Sequence, residues 1–321
     1  MGVLITGGAG FIGSHVARKL LERGDSVVIV DNFNDYYDPK IKANRMSRLM
    51  GDFRGRVIDV RSDIRHRLAM ESVFAESGKF DAILHLAAQA GVRYSINHPL
   101  EVESINVSGT VNMLELAVQF EVKNFVFASS SSVYGNRTNV PFREEDNTDH
   151  PESPYAASKK ACELWGYDFS NRKKLNVTGL RFFTVYGPDS RPDMAHRKFA
   201  DLMIKKGEIV VYGDGSMARD FTYVDDTVDG VISALDNPFR FEIFNLGNHQ
   251  PHTVNEVIES LESGLNLKAR VRYEVEQSGD VKITYADSSK AQRMLGYEPR
   301  ISFEEGMKRF CEWTKGEYLG K

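Results

Sequence analysis

Short apolar segments alternate with longer helical segments through the first half of the sequence. The apolar segments are rich in Val, Ile, Leu and Phe and are bounded by Gly, Asp or Asn, which is typical of buried strands. Strands that alternate with helices predict a parallel sheet covered on both faces. The predicted strands are Val3–Thr6, Ser26–Asp31, Arg56–Val60, Asp81–Ala87, Asn124–Ser130 and Asn176–Val185, and the predicted helices include Phe11–Glu22, Pro99–Phe120 and Tyr155–Lys173.

The alternation ends at about residue 187, where the loops lengthen and strand and helix signals mix. We therefore predict an α/β fold in two parts. Residues 1–187 form a doubly wound parallel sheet of the Rossmann type, and residues 188–321 form a smaller mixed α/β lobe that binds the substrate. Later segments are expected to cross back to the first part. Sheets of this type bind ligands beyond the carboxyl ends of their strands.

Composition disfavours several classes of function. The net charge is -4 and no block of like charges occurs, so nucleic acid and anionic membranes are not expected as partners. We find no apolar segment long enough to cross a bilayer and no signal-peptide pattern. The two cysteines lie outside any CxxC or Cys/His cluster. We therefore expect a cytoplasmic chain without a structural disulfide or a metal site.

A glycine-rich segment, TGGAGFIG from Thr6 to Gly13, separates the first predicted strand from the first predicted helix. Its glycines permit a tight turn beside a pyrophosphate, and the helix start offers free N–H groups to that anion. Such spacing alone is common in glycine turns. However, the second predicted strand ends in Asp31, whose carboxylate can bind the adenosine ribose and would repel a 2′-phosphate. Because Asn32 and Phe33 add no cation, the pattern favours NAD over NADP.

Residues after the third and fourth predicted strands complete this site. We expect Asp63 and Ile64 near the adenine, and Ala87 and Ala88 near the phosphates. The predicted cofactor-binding residues are Gly7, Gly10, Phe11, Ile12, Gly13, Asp31, Asn32, Asp63, Ile64, Leu86, Ala87 and Ala88, together with Tyr155 and Lys159.

Tyr155 and Lys159 lie four residues apart at the start of a predicted helix, so their side chains share one face. A free phenol has a pKa of about 10, and a nearby ammonium favours its ionised form, as a base at neutral pH requires. Most such pairs are exposed helix residues, and a serine run is often a polar turn. The run Ser129–Ser132 ends the fifth predicted strand, where the ligand edge of the sheet is expected. This placement favours a catalytic site.

Six segments resemble the extended short-chain dehydrogenase/reductase family in order and spacing. They are TGGAGFIGSH, LAAQAGVR, SSSSVYG, SPYAASK, LRFFTVYGP and ARDFTYVDD. Within that family, the chain is most similar to UDP-glucuronate 4-epimerases in the segments DNFNDYYDPKIKANR, LRFFTVYGPDSRPDMA and QSGDVKITYAD.

The resemblance implies roles for individual residues. Tyr155 would be the acid/base, Lys159 would orient the nicotinamide ribose and tune the phenol, and Ser130 would be the catalytic hydroxyl, with Ser131 as the alternative. The substrate would be a UDP-sugar, and the chain would form a homodimer through the helices Pro99–Phe120 and Tyr155–Lys173. The residues expected to bind the substrate are Arg93, Ser130, Ser131, Thr184, Arg191, Val211, Tyr212, Arg219 and Asp280.

The implied reaction is 4-epimerisation of UDP-glucuronate to UDP-galacturonate through a 4-keto sugar. Arg191 offers a bidentate fork for the sugar carboxylate, and Thr184 offers a hydroxyl on the preceding strand end. Galactose 4-epimerases usually carry Asn at the position of Thr184. The alternative for Arg191 is an ordinary surface-loop arginine.

Four other functions remain open. A UDP-glucose/galactose or UDP-N-acetylhexosamine 4-epimerase would use the same chemistry, and a UDP-glucuronate decarboxylase would begin with the same oxidation. A 4,6-dehydratase needs an additional acid and base, commonly an Asp-Glu pair beside the catalytic hydroxyl, where this chain has serines. A non-catalytic NAD-binding protein often lacks the tyrosine or the lysine, and this chain has both.

Overall fold

The computed structural model describes residues 1–275 and 282–319. Its main feature is a seven-stranded sheet in which every neighbouring pair is parallel. The strands of this sheet and of two smaller sheets are, in chain order, β1 (Gly2–Thr6), β2 (Ser26–Asp31), β3 (Val57–Arg61), β4 (Ala82–His85), β5 (Asn124–Ser130), β6 (Asn176–Phe182), β7 (Thr184–Tyr186), β8 (Glu208–Tyr212), β9 (Ala218–Tyr223), β10 (Phe241–Leu246), β11 (Pro251–Thr253), β12 (Arg270–Glu274) and β13 (Ile283–Thr284).

Helices connect these strands and cover both faces of the sheet. They are α1 (Phe11–Arg23), α2 (Pro39–Asp52), α3 (Arg67–Ser77), α4 (Val92–Asn97), α5 (Pro99–Glu103), α6 (Gly109–Gln119), α7 (Pro154–Lys173), α8 (Ala195–Ile204), α9 (Val224–Asp236), α10 (Val254–Leu265), α11 (Ser289–Leu295) and α12 (Phe303–Leu319). None of these described helices is long and apolar enough to cross a membrane.

The main sheet has the strand order β3-β2-β1-β4-β5-β6-β10. The chain therefore moves outward in one direction from β1 and returns to begin again at β4 on the other side. This reversal opens a crevice beyond the carboxyl ends of β1 and β4, which is where doubly wound sheets bind ligands. The predicted fold class is confirmed.

Both faces of the sheet are buried. Val3 and Ile5 of β1 belong to one hydrophobic cluster, which also contains residues of α1 and α9, whereas Leu4 between them belongs to a second cluster, which contains residues of α3, α6 and α7. Successive strand side chains point to opposite faces, so a strand covered on both sides has to be apolar at every position. This explains the continuous apolar segments of the sequence.

Two predicted strands are longer than the observed ones. The segment predicted as Asn176–Val185 leaves the main sheet after Phe182, and Thr184–Tyr186 pairs instead with β9 in a second sheet. The strand predicted as Asp81–Ala87 covers only Ala82–His85. In both places the chain turns away from the sheet to line the crevice, and the apolar sequence continues across the turn without a visible break.

The predicted helix Pro99–Phe120 is interrupted. A π-helical turn at Ser104–Ser108 separates α5 from α6. Such turns widen the helix locally and are frequent at functional sites. Here the turn contains Asn106, whose side chain reaches two other segments of the crevice.

The smaller sheets come from the C-terminal part of the chain. Strands β11, β9 and β13 form one sheet, β7 also pairs with its middle strand β9, and β8 pairs with β12. β10, which also follows residue 187, joins the main sheet beside β6. The division of the chain at residue 187 into two domains stays a prediction.

His85 is a buried histidine at the end of β4. Its Nδ1 lies 2.8 Å from the Thr6 hydroxyl and its Nε2 lies 2.9 Å from the Thr110 hydroxyl. The Thr110 hydroxyl donates to the Asn106 carbonyl oxygen, so it accepts from His85 Nε2–H, and Thr6 donates to Nδ1. The neutral ring is therefore fully hydrogen-bonded. Burial lowers the pKa of His85 to about 3.

Acid should destabilise this fold partly through His85. Between its ordinary pKa of about 6.5 and pH 3, the unfolded chain binds a proton on this ring that the native chain does not. The free energy of unfolding should therefore fall by up to about 1.4 kcal/mol for each pH unit below 6 on account of this one residue. Urea unfolding at pH 7 and pH 5 should show a shallower pH dependence for His85→Gln. His150→Gln, at an exposed position, is the control, and equal pH slopes for wild type and His85→Gln would contradict the assignment.

Candidate active site

A cleft of about 390 Å³ lies at the carboxyl edge of the main sheet. It runs from the glycine loop after β1 to the start of α7 and the loop after β7. Of the residues predicted to bind cofactor or substrate, the structure places eighteen on its walls: Gly7, Gly10, Phe11, Ile12, Gly13, Asp31, Asn32, Asp63, Ile64, Leu86, Ala87, Ala88, Ser130, Ser131, Tyr155, Lys159, Thr184 and Arg191.

The glycine loop leaves no room for side chains. Gly7 has a φ of 70°, and a Cβ there would lie 2.7 Å from the Ala87 backbone nitrogen. A Cβ on Gly13 would lie 2.5 Å from the Gly7 carbonyl oxygen. α1 begins within this segment, at Phe11, with Gly10 as its N-cap and no side chain covering the first N–H groups. The loop is therefore a backbone cradle at a helix N-terminus, the arrangement that suits a pyrophosphate.

Asp31 ends β2 and lies at one end of the cleft. Its Oδ1 accepts hydrogen bonds from the Phe33 backbone nitrogen at 2.9 Å and from Lys42 Nζ at 3.1 Å. Both bonds end on the same oxygen, which leaves Oδ2 for a ribose hydroxyl. The sequence neighbours of Asp31 supply no cation, but Lys42 from α2 does, and Nζ also donates to Asn34 at 2.8 Å. Sequence reasoning missed Lys42 because it lies eleven positions away on another element.

Asp63 follows β3 and is held by its neighbour Arg65. Arg65 donates to both carboxylate oxygens, from Nε at 2.9 Å and from Nη2 at 2.8 Å, and the Asn32 amide donates at 3.1 Å. These bonds to Arg65 keep the pKa of Asp63 well below its usual range. The carboxylate orders the loop after β3 at the cleft, and its predicted contact with adenine stays a prediction.

The loop after β4 is fixed to α7 through Asn106. The Asn106 side chain accepts from the Gln89 backbone nitrogen at 2.7 Å and donates to the Gln89 carbonyl oxygen at 3.1 Å. It also donates to the Ser158 hydroxyl at 2.9 Å. The helix-like pattern around Asn106 gave no sequence signal for this role. The residue joins the cofactor loop, the π-helical turn and α7 at one point.

The predicted catalytic residues meet in the middle of the cleft. The hydroxyl of Ser153 caps the start of α7 by accepting from the Ala156 nitrogen at 3.1 Å, which sets Tyr155 in the first turn. Lys159 is buried, and its Nζ lies 5.9 Å from the centre of the Tyr155 ring. Nζ donates to the Ala128 carbonyl oxygen at 2.7 Å. The helix is thereby attached to the strand that carries the serines.

Ser130 is the last residue of β5 and is largely buried. Its hydroxyl accepts from the Ser132 nitrogen and donates to the Ser132 hydroxyl, both at 3.1 Å. Ser131 opens the short 3₁₀ turn Ser131–Tyr134 and is less buried. Both serines reach the cleft, so the geometry is compatible with Ser130 as the catalytic hydroxyl and Ser131 as the alternative.

A buried ion pair lies behind these groups. Arg181 of β6 donates to both carboxylate oxygens of Glu163 of α7, each at 2.8 Å, and both side chains are about 5% exposed. The Ser129 hydroxyl donates to Glu163 at 2.6 Å, and Arg181 also donates to the Tyr134 hydroxyl at 2.9 Å. Burial raises the pKa of the Tyr134 phenol. The network fixes α7 to β5 and β6 directly beneath the catalytic residues.

Arg191 and Thr184 lie on the opposite wall. Thr184 begins β7, and Arg191 lies in the loop that follows it. The guanidinium is not a lone surface cation: Nε donates to Asp193 Oδ1 at 3.0 Å and Nη2 donates to Asp193 Oδ2 at 2.9 Å. The carboxylate-binding role predicted for Arg191 therefore concerns a side chain that already has one partner.

The remaining predicted substrate residues lie outside the described walls of this cleft. Arg93 stacks over the ring of Tyr212 with a distance of 5.3 Å to its centre. Val211 is buried in β8, where it lies opposite Tyr273 of β12. Arg219 lies on β9 and donates to the Ala218 carbonyl oxygen. Asp280 lies outside the described residues, and these four assignments, like that of Asp280, stay predictions.

Arg45 is a further residue that sequence reasoning missed. It is almost completely buried on α2, and its Nη1 donates to the Ala9 carbonyl oxygen at 3.1 Å and to the Tyr37 hydroxyl at 3.2 Å. Its Nη2 donates to the Asp189 carbonyl oxygen at 2.5 Å. Arg45 thus ties the glycine loop to the loop that carries Arg191. The segment DNFNDYYDPKIKANR, which ends with this residue, was one of those that suggested the subfamily.

The sheet, the backbone cradle and the Tyr155–Lys159 pair define an extended short-chain dehydrogenase/reductase. The family model described as GDP-mannose 4,6 dehydratase matches residues 4–310. The chain therefore belongs to this GDP-mannose 4,6-dehydratase-like branch of the extended short-chain dehydrogenases/reductases.

Individual relatives are nucleotide-sugar epimerases. The UDP-glucuronate 4-epimerase of Thermodesulfobacterium geofontis is 43% identical over 97% of this chain and 95% of its own length. The solved UDP-glucuronic acid 4-epimerase of Bacillus cereus, in complex with UDP-glucuronic acid and NAD, is 31% identical with a TM-score of 0.90 over 99% of this chain and 100% of that one. The UDP-glucose 4-epimerase of Thermotoga maritima, solved with UDP-glucose, is 33% identical with a TM-score of 0.89 over 99% of both chains.

Glu163→Gln should destabilise the protein strongly. It leaves the Arg181 guanidinium buried without its counter-charge, which costs about 3–5 kcal/mol in comparable pairs. Glu163→Gln/Arg181→Met, which removes both charges, should recover part of that loss. Urea unfolding at pH 7 measures both effects.

The matched control is Glu115→Gln. Glu115 pairs with Arg67 at 2.7 Å, but its side chain is 56% exposed, so its loss should cost less than about 1 kcal/mol. If Glu163→Gln were no more destabilising than Glu115→Gln, the buried pair would not hold α7 in place.

Proposed function

We propose that this chain is an NAD-dependent UDP-glucuronate 4-epimerase, which interconverts UDP-glucuronate and UDP-galacturonate through a 4-keto sugar. One observation carries the proposal: a single cleft holds an acid/base pair, Tyr155 and Lys159, opposite an arginine fork, Arg191. The relatives named for this activity cover nearly the whole chain.

The residues at the carboxyl edge of the sheet fit NAD. Gly7 and Gly13 let the loop pack directly against neighbouring backbone, since a Cβ at either position would clash with it, and the uncapped start of α1 in this loop suits a pyrophosphate. Asp31 keeps one oxygen available for a ribose, and its charge disfavours a 2′-phosphate. When bound, NAD supplies a reversible acceptor for the hydrogen on sugar C4. Because the sugar is oxidised and then reduced, the net reaction is redox-neutral and the cofactor is expected to stay bound.

Tyr155 holds and moves the proton of the sugar 4-hydroxyl. Its phenol oxygen accepts this proton as C4 is oxidised and returns it when C4 is reduced on the other face. Lys159 is fixed by its bond to the Ala128 carbonyl oxygen, so its ammonium group stays near the Tyr155 ring. Ser130 offers a hydroxyl that can share the proton between Tyr155 and the sugar. The positions of these three residues relative to one another are set by α7 and β5.

Epimerisation requires the UDP half to stay in place while the sugar turns. We assign the UDP half to Tyr212 of β8 and Arg219 of β9 in the C-terminal part of the chain. Arg93 of α4 stacks over the Tyr212 ring. Binding energy from this distant half of the substrate then supports the orientation of the reacting carbon.

Glucuronate adds a further requirement. Its 4-keto form is a β-keto acid, which loses carbon dioxide when the carboxylate C–C bond aligns with the ketone. An enzyme that returns the intact acid has to hold the carboxylate out of that alignment. Arg191 is able to bind a carboxylate bidentately, and Thr184 adds a hydroxyl on the same wall.

The rival with an observation in its favour is a neutral-sugar 4-epimerase, since the relative from Thermotoga maritima was solved with UDP-glucose. A hydroxymethyl group in place of the carboxylate would not use the charge of Arg191. A 4,6-dehydratase is less consistent with the site. The carboxylates that line the described part of the cleft are Asp31 and Asp63, and both lie at the adenosine end.

The homodimer and the cytoplasmic location stay predictions. A second copy of the chain against α5 and α7 is supported by apolar side chains that are exposed there. Leu100 is 83% exposed, Leu164 59% and Trp165 40%. Sedimentation velocity would distinguish this dimer from a 36.2 kDa monomer.

Incubation with UDP-glucuronate, followed by proton NMR of the sugar, tests the proposed reaction. We expect a mixture with UDP-galacturonate to form without added NAD, because the cofactor should accompany the purified protein. Tyr155→Phe should reduce the rate by at least about 100-fold, since it removes the acid/base group, and should leave NAD bound.

The other products each contradict the proposal in a distinct way. A UDP-pentose with release of carbon dioxide would indicate a decarboxylase. Turnover of UDP-glucose with none of UDP-glucuronate would indicate a neutral-sugar epimerase. Full activity of Tyr155→Phe would contradict the proposed mechanism even if the product were correct.

A further inference from the structure

Asp193 takes one edge of the Arg191 guanidinium. Nε and Nη2 of Arg191 donate to its two carboxylate oxygens at 3.0 and 2.9 Å. A guanidinium has five N–H groups in a rigid plane, so this pairing leaves both N–H groups of Nη1 and one of Nη2. Those remaining groups form a second edge with the same bidentate geometry. Arg191 can therefore bind a substrate carboxylate without releasing Asp193.

Asp193 is in turn held by Tyr36 from the segment after β2. The Tyr36 hydroxyl donates to Asp193 Oδ2 at 3.3 Å. Partial burial and the Asp193 charge raise the pKa of the Tyr36 phenol, which keeps it a donor. The bond joins a segment of the cofactor wall to the loop that carries Arg191.

The position of Tyr36 is itself determined by its surroundings. Its ring meets Tyr94 edge to face with a distance of 5.2 Å between ring centres. Gly91 has a φ of 109°, and a Cβ there would lie 2.5 Å from the Tyr36 hydroxyl oxygen. Tyr36 thus has room for its hydroxyl only because position 91 is glycine. A continuous series of contacts therefore leads from Gly91 through Tyr36 and Asp193 to Arg191.

We propose that Asp193 and Tyr36 are positioning residues that hold Arg191 with its Nη1–Nη2 edge toward the sugar carboxylate, and that they thereby set the preference for a uronic acid over a neutral hexose. The inference rests on the proposed function, because it takes the sugar carboxylate as the ligand of Arg191. Because Tyr36 anchors Asp193 from its other side, we expect Asp193 to orient Arg191 and not to compete with the substrate carboxylate for it. Pre-orientation of a flexible arginine reduces the entropy lost when the substrate binds.

The experiment compares two ligands that differ only at sugar C6, UDP-glucuronate and UDP-glucose. Their dissociation constants are measured by calorimetry on the NAD-bound protein in a Tyr155→Phe background, which prevents turnover. Asp193→Ala should weaken UDP-glucuronate binding about tenfold, because Arg191 is no longer held in place. Tyr36→Phe, which keeps the ring, should weaken it about threefold. UDP-glucose binding should change less than about twofold in both variants.

Two further variants separate this inference from its premise. Arg191→Ala should abolish the preference for UDP-glucuronate, and Asp193→Ala should have no additional effect in that background. If Arg191→Ala leaves the preference intact, the carboxylate assignment is wrong and the positioning role is wrong with it. If Arg191→Ala removes the preference but Asp193→Ala does not alter it, only the positioning role is overturned.

Asp189→Ala is the matched control. Asp189 lies in the same loop but pairs with Arg48 at 2.6 Å, so its loss should leave the ratio of the two dissociation constants unchanged. Tighter binding of UDP-glucuronate by Asp193→Ala would show that Asp193 competes with the substrate, and would overturn the proposal. An equal loss of affinity for both ligands would show a general structural role for Asp193, and would overturn it as well.

Discussion

The buried pair between Glu163 and Arg181 is the interaction on which the catalytic edge of the sheet depends. Charges without water are stable only when their hydrogen bonds are satisfied, and here Ser129 and Tyr134 complete the set. The pair joins α7 to β6, and Lys159 joins the same helix to β5 through the Ala128 carbonyl oxygen. With two fixed attachments, α7 cannot rotate or slide without leaving a charge unpaired. Tyr155 on α7 and the serines at the end of β5 are therefore held in fixed positions relative to each other.

The parts of this molecule that the sequence predicts are those governed by repeated local rules. Val3, Leu4 and Ile5 are all apolar because successive residues of β1 face different helical layers. The glycine loop and Asp31 follow their strands directly, and the carboxyl ends of parallel strands meet at one edge. Tyr155 and Lys159 share a helix face because of their spacing. The fold, and the placement of Tyr155 and Lys159 in the same cleft as the glycine loop, could therefore be predicted from the sequence.

The parts that the sequence does not predict depend on pairings between distant segments. The apolar stretch after Asn176 continues smoothly from β6 into β7, and only the position of β9 decides where it changes sheet. Lys42 approaches Asp31 because α2 folds back over β2. Asp193 is only two residues from Arg191, yet loop spacing carries no information about which edge of the guanidinium it takes. The orientation of a loop side chain is set by contacts with segments that are distant in the sequence, such as the bond from Tyr36 to Asp193.

Several of these contacts between distant segments are made by residues that follow β2 in the chain. The segment from Asn32 to Arg45 reaches across to the loop after β7, through Arg45 at Asp189 and through Tyr36 at Asp193. Epimerases of neutral and acidic sugars share this fold at TM-scores of 0.89 and 0.90, so neither the sheet nor the cradle distinguishes their substrates. Discrimination has to reside in side chains near sugar C6. The loop after β7, to which we assign this task, is tied to the segment after β2 through Tyr36 and to α2 through Arg45.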